Sequence, residues 1–270
     1  MRYGGPLLST VDIRDGTYED LADSDLVMIT AGVNEKSGGA TDRNDAEGRL
    51  RLLDINVPVY TEIVPQITAA AREAVLMVVT DPPDPLADLT RHLAHHDRVL
   101  STGTVIDSMR LRVHIAERLR VSAEAVEAIV IGEHGTSEVM LWSSARVGGV
   151  PVGDASLDRG ESLEMLRERV EHDVRYANIS IIEGNNASQH GIGIVCARLA
   201  QAVLRDERIV FPVATYQKTY GVTLALPTVV GRRGAISVFE PAMSPSERHQ
   251  LQQSVERLRS AVSRLGLGTA

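Results

Sequence analysis

The chain has 270 residues, a formal net charge of −8, 43% hydrophobic and 3% aromatic residues, and one cysteine. That length supports a full core, and the balance of apolar and charged residues belongs to a globular chain rather than a disordered one. No apolar run reaches the ~18 residues of a membrane helix, and 36 acidic against 28 basic residues argue against a nucleic-acid surface. The N-terminus lacks the layout of a signal peptide. A lone Cys196 cannot close an intramolecular disulfide, which points to the cytoplasm.

Residues 25–30, Asp-Leu-Val-Met-Ile-Thr, are the first predicted strand, closed by Ala31-Gly32. Aliphatic spacing predicts a helix over 52–71, with Pro58 starting or kinking it. A second strand over 74–80 stops at Asp81-Pro82-Pro83-Asp84-Pro85, a helix follows over 86–93, and a third strand spans 98–101. Continuous apolar strands alternating with helices imply a parallel sheet covered on both faces. Ligands of such sheets bind beyond the carboxyl ends of the strands, here just after Thr30, Thr80 and Ser101.

A helix over 107–119 and a strand over 128–132 come next. Helices near 163–182 and 191–204 precede three antiparallel strands over 208–213, 222–230 and 235–239. Leu251, Val255, Leu258, Val262 and Leu265 mark an amphipathic helix over 245–265. Ser244-Pro245-Ser246-Glu247 supplies its cap, first-turn proline and capping-box glutamate. The fold class is therefore α/β followed by an α+β half. Residues 1–102 form one domain and 103–270 the other, and Trp142 is expected to pack between them.

Two local patterns carry chemistry. Ile131-Gly132-Glu133-His134-Gly135 sets a histidine between glycines at a strand end, leaving the imidazole unobstructed. Asp107 and Arg110 share one helical face three residues apart. By itself that pair reads as an ordinary surface ion pair. His92, His95 and His96 read as an exposed helix end rather than a metal site.

Taken together, residues 21–32, Val79-Thr80-Asp81-Pro82-Pro83-Asp84, residues 103–110, Gly132-Glu133-His134-Gly135 and residues 188–193 resemble the L-lactate/malate dehydrogenase family, in order and across the chain. The resemblance implies an enzyme that interconverts an L-2-hydroxy acid and a 2-oxo acid with NAD(H). His134 becomes the acid/base, and Asp107 fixes its tautomer. Arg110 clamps the substrate carboxylate in a bidentate fork. Arg49 comes from a mobile loop and polarises the carbonyl. Ser188 lies beside the substrate, and Thr30, Ala31 and Gly32 bring backbone against the cofactor. A homo-oligomer, dimer or tetramer, is implied in the same way.

Three departures qualify the resemblance. The chain has no Gly-x-Gly-x-x-Gly turn after a strand, so it reads as an N-terminally truncated Rossmann-type sheet, roughly 50 residues short of a complete dinucleotide-binding half. The expectation is a longer native protein, impaired cofactor binding in this form, and apolar surface exposed along residues 26–29. Asp81 stands where the family places an amide donor, and an ionised carboxylate only accepts. Protonated, it still donates; otherwise the substrate carries a cationic or hydroxyl group there, or Asp81 merely caps the helix after Pro85. Finally, the loop over 34–48 is long, as in 2-hydroxyisocaproate-type relatives, which suggests a bulky substrate. Glu35 lies near where a second substrate carboxylate is read, and it disfavours oxaloacetate by like charge. The competing reading is a non-catalytic, dehydrogenase-like protein.

Overall fold

Three short aliphatic strands lie side by side in parallel in the computed structural model, which describes residues 12–45 and 47–266. In chain order the first half contains β1 (Leu26–Ile29), α1 (Leu53–Ala70), β2 (Val75–Val78), α2 (Pro83–Ala94), β3 (Val99–Ser101) and α3 (Val105–Leu119). Short strands follow: β4 (Val126–Glu127), β5 (Val130–Ile131), β6 (Val139–Met140), β7 (Arg146–Val147) and β8 (Val150–Pro151). Helices α4 (Val152–Leu157), α5 (Leu163–Arg175), α6 (Ala177–Asn185) and α7 (His190–Leu204) come next. The chain then runs through β9 (Ile209–Phe211), β10 (Ala214–Gln217), β11 (Val222–Ala225), β12 (Thr228–Gly231), β13 (Gly234–Val238) and α8 (Pro245–Ser263).

The main sheet has the order β1-β2-β3-β10-β11, with β10 antiparallel to both neighbours. Every residue of β2 is buried, because helices cover both of its faces. Leu76 and Val78 pack with Tyr60, Val64 and Leu86 of α1 and α2. Val75 and Met77 pack on the opposite side with Val105, Leu199 and Val203 of α3 and α7. This alternation within an unbroken apolar run is the mark of a strand covered twice. β1 is the sheet edge, yet Val27 and Ile29 are buried and only Met28 of its four residues is exposed. The apolar exposure expected along this strand is thus confined mainly to one side chain.

Several elements differ from expectation for identifiable reasons. Helix α1 contains both Pro58 and Pro65, neither of which starts it. Helix α2 begins at Pro83, with Pro82 as N-cap and no side-chain cap bond, so Asp81 does not cap it. The predicted 163–182 helix divides at Tyr176, and the predicted 222–230 strand divides at Leu226-Pro227, where proline offers no ladder donor. Strand β10, Ala-Thr-Tyr-Gln, has no apolar run to announce it. Trp142 packs against Leu111, Ile115, Leu166 and Val170, all within the second half, and its Nε1 donates to Glu171 at 2.8 Å.

Helix α8 closes the molecule by burying Leu251, Val255 and Leu258 against Ile131, Val139, Leu141 and Leu224. Its capping box is formed: Ser244 N donates to Glu247 Oε2 at 2.7 Å, and Glu247 N donates to Ser244 Oγ at 3.3 Å. Ser143 N and Oγ also donate to Glu247, at 2.9 and 2.5 Å, which ties this helix end to the segment after β6. Ser244→Ala is therefore expected to cost about 1 kcal/mol, read as a lower denaturation midpoint with an unchanged slope.

Candidate active site

The carboxyl ends of β1, β2 and β3 converge with the start of α3 and the segment after β5. Together with the loop after β1, they enclose a cavity of about 160 Å³. The His134 segment is held rigidly. Gly132 has φ +87°, and a Cβ there would meet Ser254 Oγ at 2.8 Å, so glycine is required. The His134 backbone N–H donates to Asp84 Oδ2 at 2.8 Å, and Ser101 Oγ donates to Asp84 Oδ1 at 2.7 Å. A buried carboxylate thus fastens the histidine loop to the ends of β3 and α2.

The His134 ring is buried, with Nδ1 2.5 Å from Asp107 Oδ2. Asp107, in the first turn of α3, also accepts from Arg110 Nη1 at 3.1 Å. Burial alone pushes the Asp107 carboxyl up, but the His134 charge and hydrogen bond, with Arg110 and Arg49, hold it down at about 2. Burial likewise lowers His134, and the Asp107 charge and hydrogen bond outweigh it, leaving the imidazole raised above its ordinary value. Because Asp107 occupies Nδ1, the exchangeable position facing outward is Nε2, which lies 3.8 Å from Asp81 Oδ1.

Arg49 lies in a tight turn, Gly48–Leu52, that leads into α1 rather than in a free loop. Its Nε is 3.9 Å from Glu35 Oε1 and 3.7 Å from Asp81 Oδ2. Those separations exceed hydrogen-bond length, and the buried Nε has no hydrogen-bond partner among the described residues. Burial drives Asp81 up to about 7; Arg49 opposes that shift, and Glu35 adds to it. Burial also raises Glu35, but Arg49 and its hydrogen bonds leave it below the ordinary value.

The expected residues Arg49, Asp81, Arg110, His134, Ser188, Thr30 and Gly32 all line this one cavity, and Asp107 stands directly behind His134. Ala31 does not line it; that residue is exposed, and its carbonyl accepts from Thr80 Oγ1 at 2.8 Å. Gly32 is fixed by packing, since a Cβ would lie 2.6 Å from Thr80 Cγ2 and 2.7 Å from Asn56 Oδ1. The long loop folds across the cavity: Arg43 pairs with Glu183 at 2.6 Å, and Lys36 Nζ donates to Asn186 Oδ1 at 2.6 Å.

Four supporting residues received no role from the sequence. Asn56, fully buried, accepts from Val33 N at 2.7 Å and donates to Asp81 O at 2.8 Å, joining the loops after β1 and β2. A polar amide inside the aliphatic run of α1 was its only signal. Asn178 donates to Glu35 Oε1 at 3.4 Å. Asp84 anchors His134, and Glu138 is buried beyond it, raised to about 8 by burial and then by Asp107. Nothing in local spacing marks Asn178 or Glu138.

Thr30, Gly32, Val79, Thr102 and Ile192 border the cavity at the strand ends, and these small and apolar side chains would hold a dinucleotide's flat ring. Among the described residues, no glycine-rich turn joins a strand to a helix N-terminus to receive a pyrophosphate. The fold and site define an α/β protein of the dinucleotide-dependent dehydrogenase type. Residues 5–101 match the lactate/malate dehydrogenase NAD binding domain, and residues 104–265 match the alpha/beta C-terminal domain of the same family. The chain belongs to the lactate/malate dehydrogenase family, and NAD is its cofactor.

It is 41% identical to an L-lactate dehydrogenase of Deinococcus radiodurans, covering 98% of this chain and 85% of that protein. It is 40% identical to that of Thermus aquaticus, covering 97% and 84%. A ligand-bound minor L-lactate dehydrogenase from Enterococcus mundtii superposes with a TM-score of 0.83 at 31% identity, covering 93% of this chain and 80% of that one. The NAD-binding-domain match over 5–101 lends no support to a lost N-terminal segment, and no relative named here is of the 2-hydroxyisocaproate type.

Asp107→Asn removes the charge that holds His134 up while burial and Arg49 remain. The imidazole is then expected to titrate below its ordinary value of 6.5, measured by NMR of the ring protons.

Proposed function

We propose that this chain interconverts an L-2-hydroxy acid and the corresponding 2-oxo acid. The observation that carries this reading is the His134 Nε2 facing a cavity whose walls also present Arg49 and Arg110. Arg110 binds the substrate carboxylate through its fork. His134, protonated and stabilised by Asp107, gives the Nε2 proton to the 2-oxygen on reduction and takes it back on oxidation. Arg49 stabilises negative charge developing on that oxygen from a largely buried position. Ser188 borders the carbon that carries the substituent. NAD(H), when bound, supplies or accepts the hydride.

The relatives named as L-lactate dehydrogenases support a monocarboxylic substrate. Glu35 on the cavity wall argues against a second carboxylate. A cavity of about 160 Å³ with the loop pinned across it favours a compact substituent over the bulky one that loop length suggests. The reading includes a cytoplasmic homo-oligomer, in which a second copy covers exposed Val113, Ile181 and Ile194 around an apolar cavity of about 410 Å³.

The test is oxidation of NADH, followed by absorbance, against a panel of compact, bulky and dicarboxylic 2-oxo acids. Compact monocarboxylic acids should turn over fastest. His134→Ala should lower turnover by about 10²–10⁴-fold, and near-wild-type turnover in that variant removes His134 from the role. No turnover with any acid favours the non-catalytic reading, to which Asp81 at the site lends weight.

A further inference from the structure

Helix α8 contributes no side chain to the cavity wall, yet it holds the two segments that bring His134 and Arg49 there. Ser254 and Arg257, one helical turn apart, meet the bend that carries His134. Ser254 Oγ accepts from Glu133 N at 2.9 Å, and Arg257 Nε stands 3.3 Å from Glu133 Oε2. Arg257 also reaches the opposite segment, where its Nη2 donates to the Glu47 carbonyl at 3.1 Å. That carbonyl accepts from Leu50 N at 3.1 Å as well, and this bond closes the turn in which Arg49 sits. We propose that Arg257 is a positioning residue: it spans the Glu133 carboxylate and the Glu47 carbonyl, and so fixes the Arg49 guanidinium relative to the His134 imidazole across the cavity. The span is independent of any reaction; its effect on turnover rests on the dehydrogenase reading.

The platform behind the span is rigid. Leu251, Val255 and Leu258 seat α8 in the core against Ile131, Val139 and Leu224. The Glu133 end is enclosed as well: the residue is buried, and its Oε2 accepts from Ser137 N at 3.2 Å and from Ser137 Oγ. A Cβ at Gly135 would lie 2.8 Å from Glu133 Oε1, so the carboxylate is packed against the bend on the far side of His134. At the other end, Arg264 lies two turns further along α8, with Nη1 3.5 Å from Glu47 Oε1 and Nη2 donating to Asp54 Oδ2 at 2.6 Å. Turn and bend also lie against each other, since Gly48 has φ +54° and a Cβ on it would stand 3.3 Å from Thr136 Cγ2. Arg264 grips one segment; Arg257 joins the two.

Arg49 needs such backing because its Nε has no hydrogen-bond partner among the described residues, lying 3.7 Å from Asp81 and 3.9 Å from Glu35. Its place is inherited from the turn. Arg110 differs: it is set by α3 and by its own bond to Asp107 at 3.1 Å, away from Arg257. A guanidinium presents its donors in one plane, so Nε and Nη2 address two acceptors at a fixed angle. Loosening that fork shifts Arg49 against His134 and leaves the carboxylate clamp in place. A shift of about 1 Å at a group that stabilises developing charge can cost about a hundredfold in rate.

Arg257→Lys is the variant that tests the span, since a cation stays beside the buried Glu133 carboxylate and the fold avoids an unpaired charge. The compact ammonium lacks the planar fork. Hydrogen exchange on the unliganded protein reads the turn without substrate or cofactor. The amides of residues 48–52, Leu50 above all, should exchange about tenfold faster in Arg257→Lys, with those of α3 unchanged. Unchanged exchange over 48–52 overturns the proposal whatever the turnover.

With the 2-oxo acid that the wild type reduces fastest, Arg257→Lys should lower kcat between about tenfold and about a hundredfold and leave KM within about twofold. In an Arg49→Ala background the same substitution should cost less than about twofold, because the group it positions is gone. An unchanged kcat in Arg257→Lys, or an equal loss in both backgrounds, overturns the positioning role. Faster exchange over 48–52 in a protein that turns over no 2-oxo acid leaves the span standing and removes the dehydrogenase reading instead.

Discussion

The hydrogen bond between Asp107 and His134 is the interaction on which the site depends. It pairs a carboxylate that burial alone would neutralise with an imidazole that burial alone would discharge, and each keeps the other ionised. Such a pair is strongly favourable only while both partners are present, because either alone is an uncompensated buried charge. The surrounding fold serves that geometry. Helix α3 supplies Asp107 and Arg110 from its first turns, the glycine bend after β5 supplies His134, and Asp84 fastens the His134 backbone to Ser101 at the end of β3.

The same logic extends outward to Arg49. Its guanidinium stands between Glu35 and Asp81 without a formed hydrogen bond from Nε, a costly arrangement for a buried cation unless a ligand completes it. Arg49 and Arg110 both stand as cationic donors on the wall of one small cavity. Preorganised donors of this kind need no rearrangement as charge develops on a substrate oxygen.

Much of this was legible in the sequence because its signals are local. Continuous aliphatic runs marked the parallel strands, Ser244 and Glu247 marked the last helix, and glycines around His134 marked an unobstructed imidazole. Asp107 and Arg110 were visible as a helical pair, but nothing in their spacing separates a buried pair from a solvated one. Family resemblance joined them to His134. What stayed hidden depends on tertiary contact. Strand β10 is defined by its neighbours rather than by its composition. Asn56 matters through two loops that it joins, and Trp142 found its pocket within one half because α3 and α5 close around it. Asp81 was read as a departure from the amide pattern, but the burial that raises its carboxyl and the Arg49 guanidinium that opposes it are tertiary features that spacing does not show.

The strap over the cavity has a kinetic consequence. Its anchors to α6, Arg43 with Glu183 and Lys36 with Asn186, are solvent-exposed contacts, and the first is an ion pair. Exposed ion pairs weaken as mobile ions accumulate around them, whereas the enclosed charges beneath are shielded far less. Ionic strength therefore acts on the two layers separately: it loosens the cover and hastens the exchange of small molecules while leaving the proton-handling centre almost untouched.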